Sequence, residues 1–331
     1  MKISVVIPVR NEAESIGQLL DDLLKQSHQP DEILITDGGS GDATPLIVEE
    51  YAQRNPTVRL FRESNALPGR GRNIGAGSAS HEWLAFIDAG VSPSTDWLAK
   101  LTACAAEHPD AKVIYGAWEP VVDTFFKECA AIAYAYLPTA EVDERFTSSR
   151  AILSSLVHRS VWQALGGFAE HLRSAEDLLF LNKIDEGGFG VAYAPHARVR
   201  WSMQPTMWRT FKRFVVYSRN NLRAGLGREW QAAILTRYAL LLIAAVVSWS
   251  FSSWWPIITG ALLLLMLGIR SLAALWRNRQ SFPAGPVRNF RRLLLLVPLL
   301  ITLDAATMIG TIDWLVRDKL RASGSLVGEK L

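Results

Sequence analysis

Three apolar runs in the N-terminal part of the chain each stop at an acidic or polar cluster. Ile3-Ser4-Val5-Val6-Ile7-Pro8-Val9 stops at Arg10-Asn11-Glu12, Ile33-Leu34-Ile35-Thr36 at Asp37-Gly38-Gly39-Ser40, and Trp83-Leu84-Ala85-Phe86-Ile87 at Asp88-Ala89-Gly90. Helical patterns lie between them. Ile16, Leu19, Leu20, Leu23 and Leu24 share one face of a predicted helix over 12–26. Further helices are predicted over 42–54, 72–80 (rich in Ala and Gly) and 96–107, and further strands over 58–61 and 113–118. Such alternation predicts a parallel α/β sheet, and ligands of such sheets bind where the strands end. From 120 to 204 the alternation weakens. It predicts helices over 161–165, ending at Gly166-Gly167, and 175–186, and a short strand over 191–194.

The pattern changes again after residue 204. Over 205–230, Trp208, Phe211, Phe214, Val215 and Tyr217 interleave with Arg209, Lys212, Arg213, Arg219 and Arg223, as suits a basic amphipathic helix lying on an anionic bilayer surface. Three apolar spans follow at about 235–252, 254–276 and 293–316, each near or above the roughly 20 residues that cross a bilayer. The expected organisation is an α/β domain over 1–204, an interfacial region over 205–230 and a membrane region over 231–331. Arg277, Arg279, Arg288, Arg291 and Arg292 between the second and third spans place that loop, and with it the N-terminal domain, on the cytoplasmic side by the positive-inside rule. The third span carries Asp304 and Asp313 and precedes basic residues (Arg317, Lys319, Arg321). Either it crosses and exports them, or it is partly re-entrant. Asp304 is expected to serve packing or topology, since an isolated acid at membrane depth is costly.

Charge follows the same division. From residue 205 onward stand 17 of the 35 Lys and Arg but 5 of the 32 Asp and Glu, a balance of +12 against −9 before it, within a net charge of +3. The basic residues flank apolar spans, so the excess points to a membrane and not to nucleic acid. Two cysteines, Cys104 and Cys129, make neither a disulfide framework nor a zinc cluster, and read as buried thiols in a reducing compartment. The apolar run after Lys2 meets charge too soon for a signal peptide. Localisation in a bacterial inner (plasma) membrane, multi-pass with a cytoplasmic catalytic domain, is the expectation.

The strand ends hold the candidate chemistry. Asp37 in Thr36-Asp37-Gly38-Gly39-Ser40 is placed to accept from a base N–H or a ribose hydroxyl, with glycines admitting a flat ligand. Its alternative is a plain capped turn. Asp88 is placed to hold Mg²⁺ or Mn²⁺ against a diphosphate, since hard cations take oxygen ligands and complete their shell with substrate phosphates. Arg70 and Arg72 in Pro68-Gly69-Arg70-Gly71-Arg72-Asn73 have guanidinium forks that match phosphate oxygens. Glu176-Asp177 opens a predicted helix, where one carboxylate can act as general base while the other orients it. Taken alone, an ordinary acidic first turn is the simpler reading.

In this order, these segments resemble the family 2 glycosyltransferases over about residues 1–200. Val5-Val6-Ile7-Pro8-Val9-Arg10-Asn11-Glu12 is similar to the family's opening strand, and Thr36-Asp37-Gly38-Gly39-Ser40-Gly41-Asp42-Ala43-Thr44 to its Asp-Gly-Ser turn. Arg72-Asn73-Ile74-Gly75 resembles its Arg-Asn-x-Gly segment, and Gly166-Gly167-Phe168 with Glu176-Asp177 its acceptor region. The resemblance implies a GT-A nucleotide-sugar-binding fold, a nucleotide-diphosphate sugar donor, a divalent cation and inversion at the anomeric carbon. It implies donor contacts from Pro8, Arg10, Glu12, Asp37, Gly38, Arg70, Arg72, Asn73, Asp88 and Ala89, with Asp88 also at the metal. It implies Asp177 as base beside Glu176, and acceptor-side roles for Arg150, Gly167, Arg200 and Trp201.

Two departures shape the expected activity. Gly90 stands where the family often has the second acid of Asp-x-Asp, so the metal would rest on Asp88, phosphates and water. Arg200-Trp201 is present, but Ala197 replaces the Gln of the processive synthases' Gln-x-x-Arg-Trp. The expectation is single-sugar transfer, with a UDP-sugar favoured, to a hydroxyl of a membrane lipid or lipid-linked acceptor. A polyprenyl-phosphate acceptor is the alternative, and a non-catalytic membrane scaffold with a degenerate transferase domain is the alternative from another class. A nucleotidyltransferase would want a Gly-rich, Arg-containing loop after the first strand, and a dinucleotide-binding oxidoreductase would want Gly-x-Gly-x-x-Gly there. This chain has Arg10-Asn11-Glu12-Ala13-Glu14.

Overall fold

The computed structural model describes residues 1–135, 150–251 and 253–320. Arg321 and Ser252 lie outside the described residues. The chain divides into two compact units, with boundaries at 121/122 and 202/203 and a further crossing between them in the 136–149 interval. The expected boundary near residue 204 falls beside the second of these, while the segment from residue 122 through helix α5 groups with the C-terminal unit.

The first unit is an eight-stranded mixed sheet. Its elements run β1 (Ile3–Val9), α1 (Ile16–Leu24), β2 (Glu32–Asp37), α2 (Thr44–Arg54), β3 (Val58–Arg62), α3 (Pro68–Ser78), β4 (Trp83–Phe86), β5 (Val91–Pro93), α4 (Trp97–Glu107) and β6 (Val113–Val121). After α5 (Phe125–Tyr134), which belongs to the second unit, come β7 (Ser155–His158), α6 (Arg159–Ala164), α7 (Glu176–Glu186) and β8 (Val191–Ser202). The strand order is β3-β2-β1-β4-β7-β6-β8-β5. β1 to β4 are parallel, as alternation requires; β7 is antiparallel to both its neighbours, and β5 to β8. The sheet is therefore mixed and not purely parallel. β7 and β5 escape the periodicity because strands of four and three residues offer too little alternation to register. β8 extends eight residues past its expected end because Pro195 and the charged residues after it break the apolar run while the strand continues beside β6 across a bulge at Gly116/Ala117.

Apolar layers cover both faces. Ile16, Leu19, Leu20 and Leu23 of α1, Val48 of α2 and Trp97, Leu98 and Leu101 of α4 close on one face. Ala76 of α3, Val161 of α6 and Phe180, Leu181 and Ile184 of α7 close on the other. The central β1 and β2 are buried almost throughout, as expected of strands covered on both sides. α3 approaches β1 closely enough that a Cβ on Gly75 would come 2.6 Å from the Val6 Cγ1 and one on Gly71 would come 3.0 Å from the Pro8 Cβ. The small-residue character of this helix thus lets its first turns lie directly on the end of β1.

The second unit holds α5, α8 (Met207–Arg223), α9 (Gly227–Trp230), α10 (Ala232–Phe251), α11 (Trp255–Arg277) and α12 (Pro286–Trp314), which ends in a π-helical turn over Leu315–Leu320. Three helical stretches, Ala232–Phe251, Trp255–Arg277 and Pro286–Lys319, are long and apolar enough to cross a membrane, with mean hydropathy of 1.9, 2.0 and 2.1. α5 gave no clear periodicity. Its buried Glu128 binds the guanidinium groups of Arg288 and Arg292 at the start of α12. Asp304, 1% exposed, accepts from Arg270 of α11 at 2.5 and 2.9 Å and from the Tyr238 hydroxyl of α10 at 3.0 Å. It ties the three long helices together.

Gly75→Ala should destabilise the first unit by about 1–3 kcal/mol, because the stiff Val6 side chain in a filled layer must give way. Thermal unfolding of the purified protein checks this; Gly41→Ala, with open space around it, is the matched control.

Candidate functional site

The parallel strands β2, β1 and β4 lie side by side and end at one edge of the sheet, so Asp37, the Arg10-Asn11-Glu12 segment and Asp88 emerge along that edge in the order 2-1-4. The loops interlock locally. Asn11 takes a left-handed φ of 56°, its N–H donates to the Ser40 hydroxyl at 2.8 Å, and its side-chain oxygen accepts from the Gly41 N–H at 2.8 Å. The Glu12 N–H donates to the Thr44 hydroxyl at 2.8 Å, while its carboxylate accepts from Ser15 at 2.6 Å and stands 3.4 Å from where a Cβ on Gly90 would be. Asp37 is buried and accepts from the Ser40 N–H at 3.2 Å and hydroxyl at 2.5 Å. Gly38 lies so near the Ala66 carbonyl that a Cβ would sit 2.4 Å from its oxygen. Pro8 lies under Gly71, and Arg10 is exposed.

Arg72 joins the other half of the site to this edge. Its guanidinium is 3% exposed and forks between Asp88 at 2.6 Å and Glu176 at 2.7 Å, with its face 5.3 Å from the Phe168 ring centre. Phe168 in turn stacks on Phe180 and meets Phe86 edge-on. Burial works against the guanidinium charge, but Asp88, Glu176 and Asp177 outweigh it and hold Arg72 above its ordinary range. The acids pay the opposite way. Burial raises the Asp177 carboxyl, Arg72 opposes, and Asp88 raises it further. Burial likewise raises Glu176, with Arg72 opposing and Asp177 adding to the rise. Three carboxylates around one buried cation leave the cluster with more acid than base, so at least one is easily protonated. Glu176 and Asp177 open α7 behind Ala175, which takes a left-handed φ of 70°. Asp177 is capped by the Leu178 N–H at 2.9 Å, and the Glu176 Oε2 has no protein partner.

Arg70 and Asn73 face elsewhere. Arg70 binds Glu63 at 2.6 Å and Glu170 at 3.1 Å. Asn73 donates to the Phe168 carbonyl and to Glu170, both at 2.9 Å, and accepts from the Phe168 N–H at 2.9 Å and the Trp162 indole at 3.1 Å. A Cβ on Gly167, whose φ is 70°, would stand 2.5 Å from the Asn73 side-chain oxygen. Arg70, Asn73, Trp162, Gly167 and Glu170 line an open groove of about 540 Å³. The Arg-Asn and Gly-Gly-Phe segments are therefore mechanically one piece: Asn73 clasps the turn that carries Phe168, and Phe168 supports Arg72. In the sequence nothing local links Asn73 to Trp162 and Gly166-Gly167, which lie some ninety residues further on.

Of the acceptor-side residues, Trp201 pairs in register with Val91 and Arg200 with Ser92, which brings both beside the strand that follows Asp88-Ala89-Gly90. Trp201 meets Trp118 edge-on at 5.6 Å. Arg150 pairs with Asp185 of α7. The site thus joins Asp88, Arg72 and Glu176 directly, with Asp177 near enough to feel the charges of Arg72 and Asp88. Asp37, Gly38, Pro8, Arg10 and Glu12 line the neighbouring strand ends, Ala89 sits in the turn, and Arg200 and Trp201 flank it. For a divalent cation, Asp88 offers one carboxylate oxygen beyond the one bound to Arg72, and its side chain is 36% exposed. No group of three or more His, Cys, Asp or Glu able to hold a metal occurs among the described residues. This donor set fits a cation held mainly by substrate phosphates.

Arg72→Met should cost about 3–5 kcal/mol by leaving buried carboxylates uncompensated. Adding Glu176→Gln should recover part of that loss, and a double-mutant cycle on thermal unfolding measures the coupling.

Residues 4–150 match the model of the glycosyl transferase family 2. The glycosyltransferase AglE of Haloferax volcanii is 25% identical over 197 residues, which cover 58% of this chain and 64% of AglE; the match thus spans less than two thirds of that relative's length. Among solved structures, the mannosyltransferase PcManGT of Pyrobaculum calidifontis, in complex with GDP-Man and Mn²⁺, superposes with a TM-score of 0.55 at 19% identity, covering 96% of this chain and 88% of that one. TarS of S. aureus in complex with UDP-GlcNAc gives 0.50 at 18% identity, covering 94% and 92%. These likenesses concern the fold. Over residues 4–150 the chain thus matches the family 2 glycosyltransferases, and its fold is GT-A-like.

Proposed function

We propose that the protein transfers a single sugar from a nucleotide-diphosphate sugar, preferably a UDP-sugar, to a hydroxyl of a membrane lipid or lipid-linked acceptor, with inversion. The observation that carries this reading is the Arg72 bridge, which makes a strand-end acid and a helix-start acid pair one electrostatic unit. Asp37 and Gly38 receive the base, and Pro8, Arg10 and Glu12 border the ribose. Arg70, exposed between Glu63 and Glu170, is free to turn toward a diphosphate more readily than buried Arg72. Mg²⁺ or Mn²⁺, held by Asp88 together with the diphosphate, would stabilise negative charge on the leaving nucleotide. The domain family, and the nucleotide sugars bound by PcManGT and TarS, support the donor class. Three apolar helices support a membrane-bound acceptor.

The step is one in-line displacement. The acceptor oxygen bonds to the anomeric carbon from the face opposite the diphosphate, the bond to the diphosphate breaks, and Asp177 takes the hydroxyl proton. Arg72 keeps Asp177 ionisable inside a buried cluster, and the Glu176 Oε2 is an acceptor available to orient the incoming hydroxyl. A raised carboxyl is a better base than an exposed aspartate because it binds its proton more tightly. A polyprenyl phosphate would need no base, which separates the alternative acceptor cleanly. Placement in an inner membrane with the domain on the cytoplasmic face belongs to the same proposal and rests on the arginine-rich loop between α11 and α12.

Membranes containing the protein should move label from a radiolabelled nucleotide sugar into extracted lipid, and Asp177→Asn should lower that transfer by about 10²-fold or more. Undiminished transfer by the variant removes Asp177 as base and favours a phosphate acceptor. Activity should require the carboxylate form, so it is lost as pH falls through the Asp177 value, which burial raises above that of an ordinary aspartate. Asp88→Asn removes a charge that raises that carboxyl, and the acidic limb of the pH–rate profile should move to lower pH.

A further inference from the structure

We infer that α12 does not cross the bilayer: α10 and α11 form one transmembrane hairpin, while α12 and α8 lie together at the headgroup level on the side that holds the N-terminal domain. The inference rests on the reading that the apolar helices enter a membrane, and it resolves which of them span it.

α12 runs alongside α8, and the two are parallel. Phe214 packs with Leu300 and Leu303; the Ser218 hydroxyl donates to the Thr307 carbonyl at 2.8 Å; Arg219 pairs with Asp313 at 3.1 Å; and Arg223 pairs with Asp318 at 2.6 Å. Partners thus advance together along both helices. At Gly310 the backbones meet, since a Cβ there would stand 2.5 Å from the Val215 carbonyl oxygen and 2.6 Å from the Ser218 Cβ. The contact runs from about Leu303 to Asp318, or about 22 Å of helix at 1.5 Å per residue. Before it, the apolar stretch of α12 that begins at Leu293 supplies only ten residues, about 15 Å, or half of a hydrocarbon core about 30 Å thick.

A crossing α12 would therefore carry α8 into the hydrocarbon. α8 holds Arg209, Lys212, Arg213, Arg219 and Arg223, and buries Thr210, Ser218, Asn220 and Asn221. Charged side chains at bilayer depth are costly and rare. α8 instead suits an interface: Trp208 is 63% exposed, stacks on Phe211, and carries the Lys212 ammonium 5.6 Å above its ring. Aromatic rings beside cations are the usual furniture of the headgroup level.

The two remaining helices differ in kind. None of the apolar window of α10 is buried within the protein and 17% of that of α11 is, against 44% for α12. Leu240, Leu242, Ile243, Val246, Val247 and Phe251 of α10 are all exposed. No charged residue occurs from Tyr238 to Ile269, and most of the large apolar side chains of this stretch are exposed. One polar cluster, Asp304 with Arg270 and Tyr238, marks where this hairpin leaves α12. An even number of crossings returns the chain to its starting side. Arg317 and Lys319 then share a side with Arg277, Arg279, Arg288, Arg291 and Arg292, as the positive-inside rule asks.

The test uses the full chain in membranes, with single cysteines introduced by Ser27→Cys in the N-terminal domain, Ser253→Cys between α10 and α11, and Ser323→Cys in the tail. The native Cys104 and Cys129 are buried, so the unsubstituted protein sets the background. A membrane-impermeant maleimide applied to right-side-out and inverted vesicles should label Ser27→Cys and Ser323→Cys from one face only and Ser253→Cys from the other. Labelling of the tail thiol from the same face as Ser253→Cys overturns the inference and makes α12 a third crossing. Labelling of all three from one face also overturns it, since the hairpin then does not cross. Release of the protein by alkaline carbonate overturns it together with the membrane reading, whereas carbonate retention with a misplaced thiol overturns the topology alone.

Discussion

The buried guanidinium of Arg72 is the constraint on which the site depends. A cation taken out of water is tolerable only when acids surround it, and acids so placed are tolerable only because of the cation. Arg72 comes from the helix before β4, Asp88 from the end of that strand, and Glu176 and Asp177 from the first turn of a helix nearly ninety residues later. Removing the cation leaves three acids facing one another, whereas removing one acid lessens the excess of negative charge. The same balance that holds these elements together raises the carboxyl proposed as the base, so stability and reactivity share one arrangement.

Around that centre, glycines and one asparagine set the spacing. α3 can lie against β1 because Gly71 and Gly75 present no side chain to Pro8 and Val6. Asn73 completes four hydrogen bonds to the turn carrying Phe168, and that ring lies beside the guanidinium. Chemistry and scaffolding are thus divided between adjacent residues of one helix, with Arg72 turned inward and Asn73 and Arg70 turned to the groove side.

Much of this was legible in the residues. Long apolar runs ending in acids located β1, β2 and β4, and the four strands of the parallel half were placed to within a residue or two at each end. Asp88 and the Glu176-Asp177 pair stand out in the sequence as candidates, and in the fold they surround Arg72. Arg72 was read as a phosphate ligand, because a guanidinium in a Gly-rich segment gives no sign in sequence of which anion it will meet; in the fold its fork holds two carboxylates. β5 and β7 were too short to show a period, and the antiparallel hand of β7 is decided by the neighbours it fits between, β4 and β6. α5 was missed for a related reason. Its buried residues, Glu128, Cys129, Ala130, Ala131 and Ile132, run consecutively and mark no helical period, and its one buried acid is explained only by arginines some 160 residues away.

The position of α5 has a consequence for how the protein can be divided. The chain leaves the sheet after β6, contributes this helix to the C-terminal unit, and returns to form β7 in the middle of the sheet. The two units are therefore laced by three covalent passages and not by one linker. A fragment ending near residue 204 would retain Glu128 without Arg288 and Arg292, and Ala133 and Tyr134 without Leu267, Leu300 and Leu303. A cut there does not follow the seam between the units; it strands a helix of the second with the first.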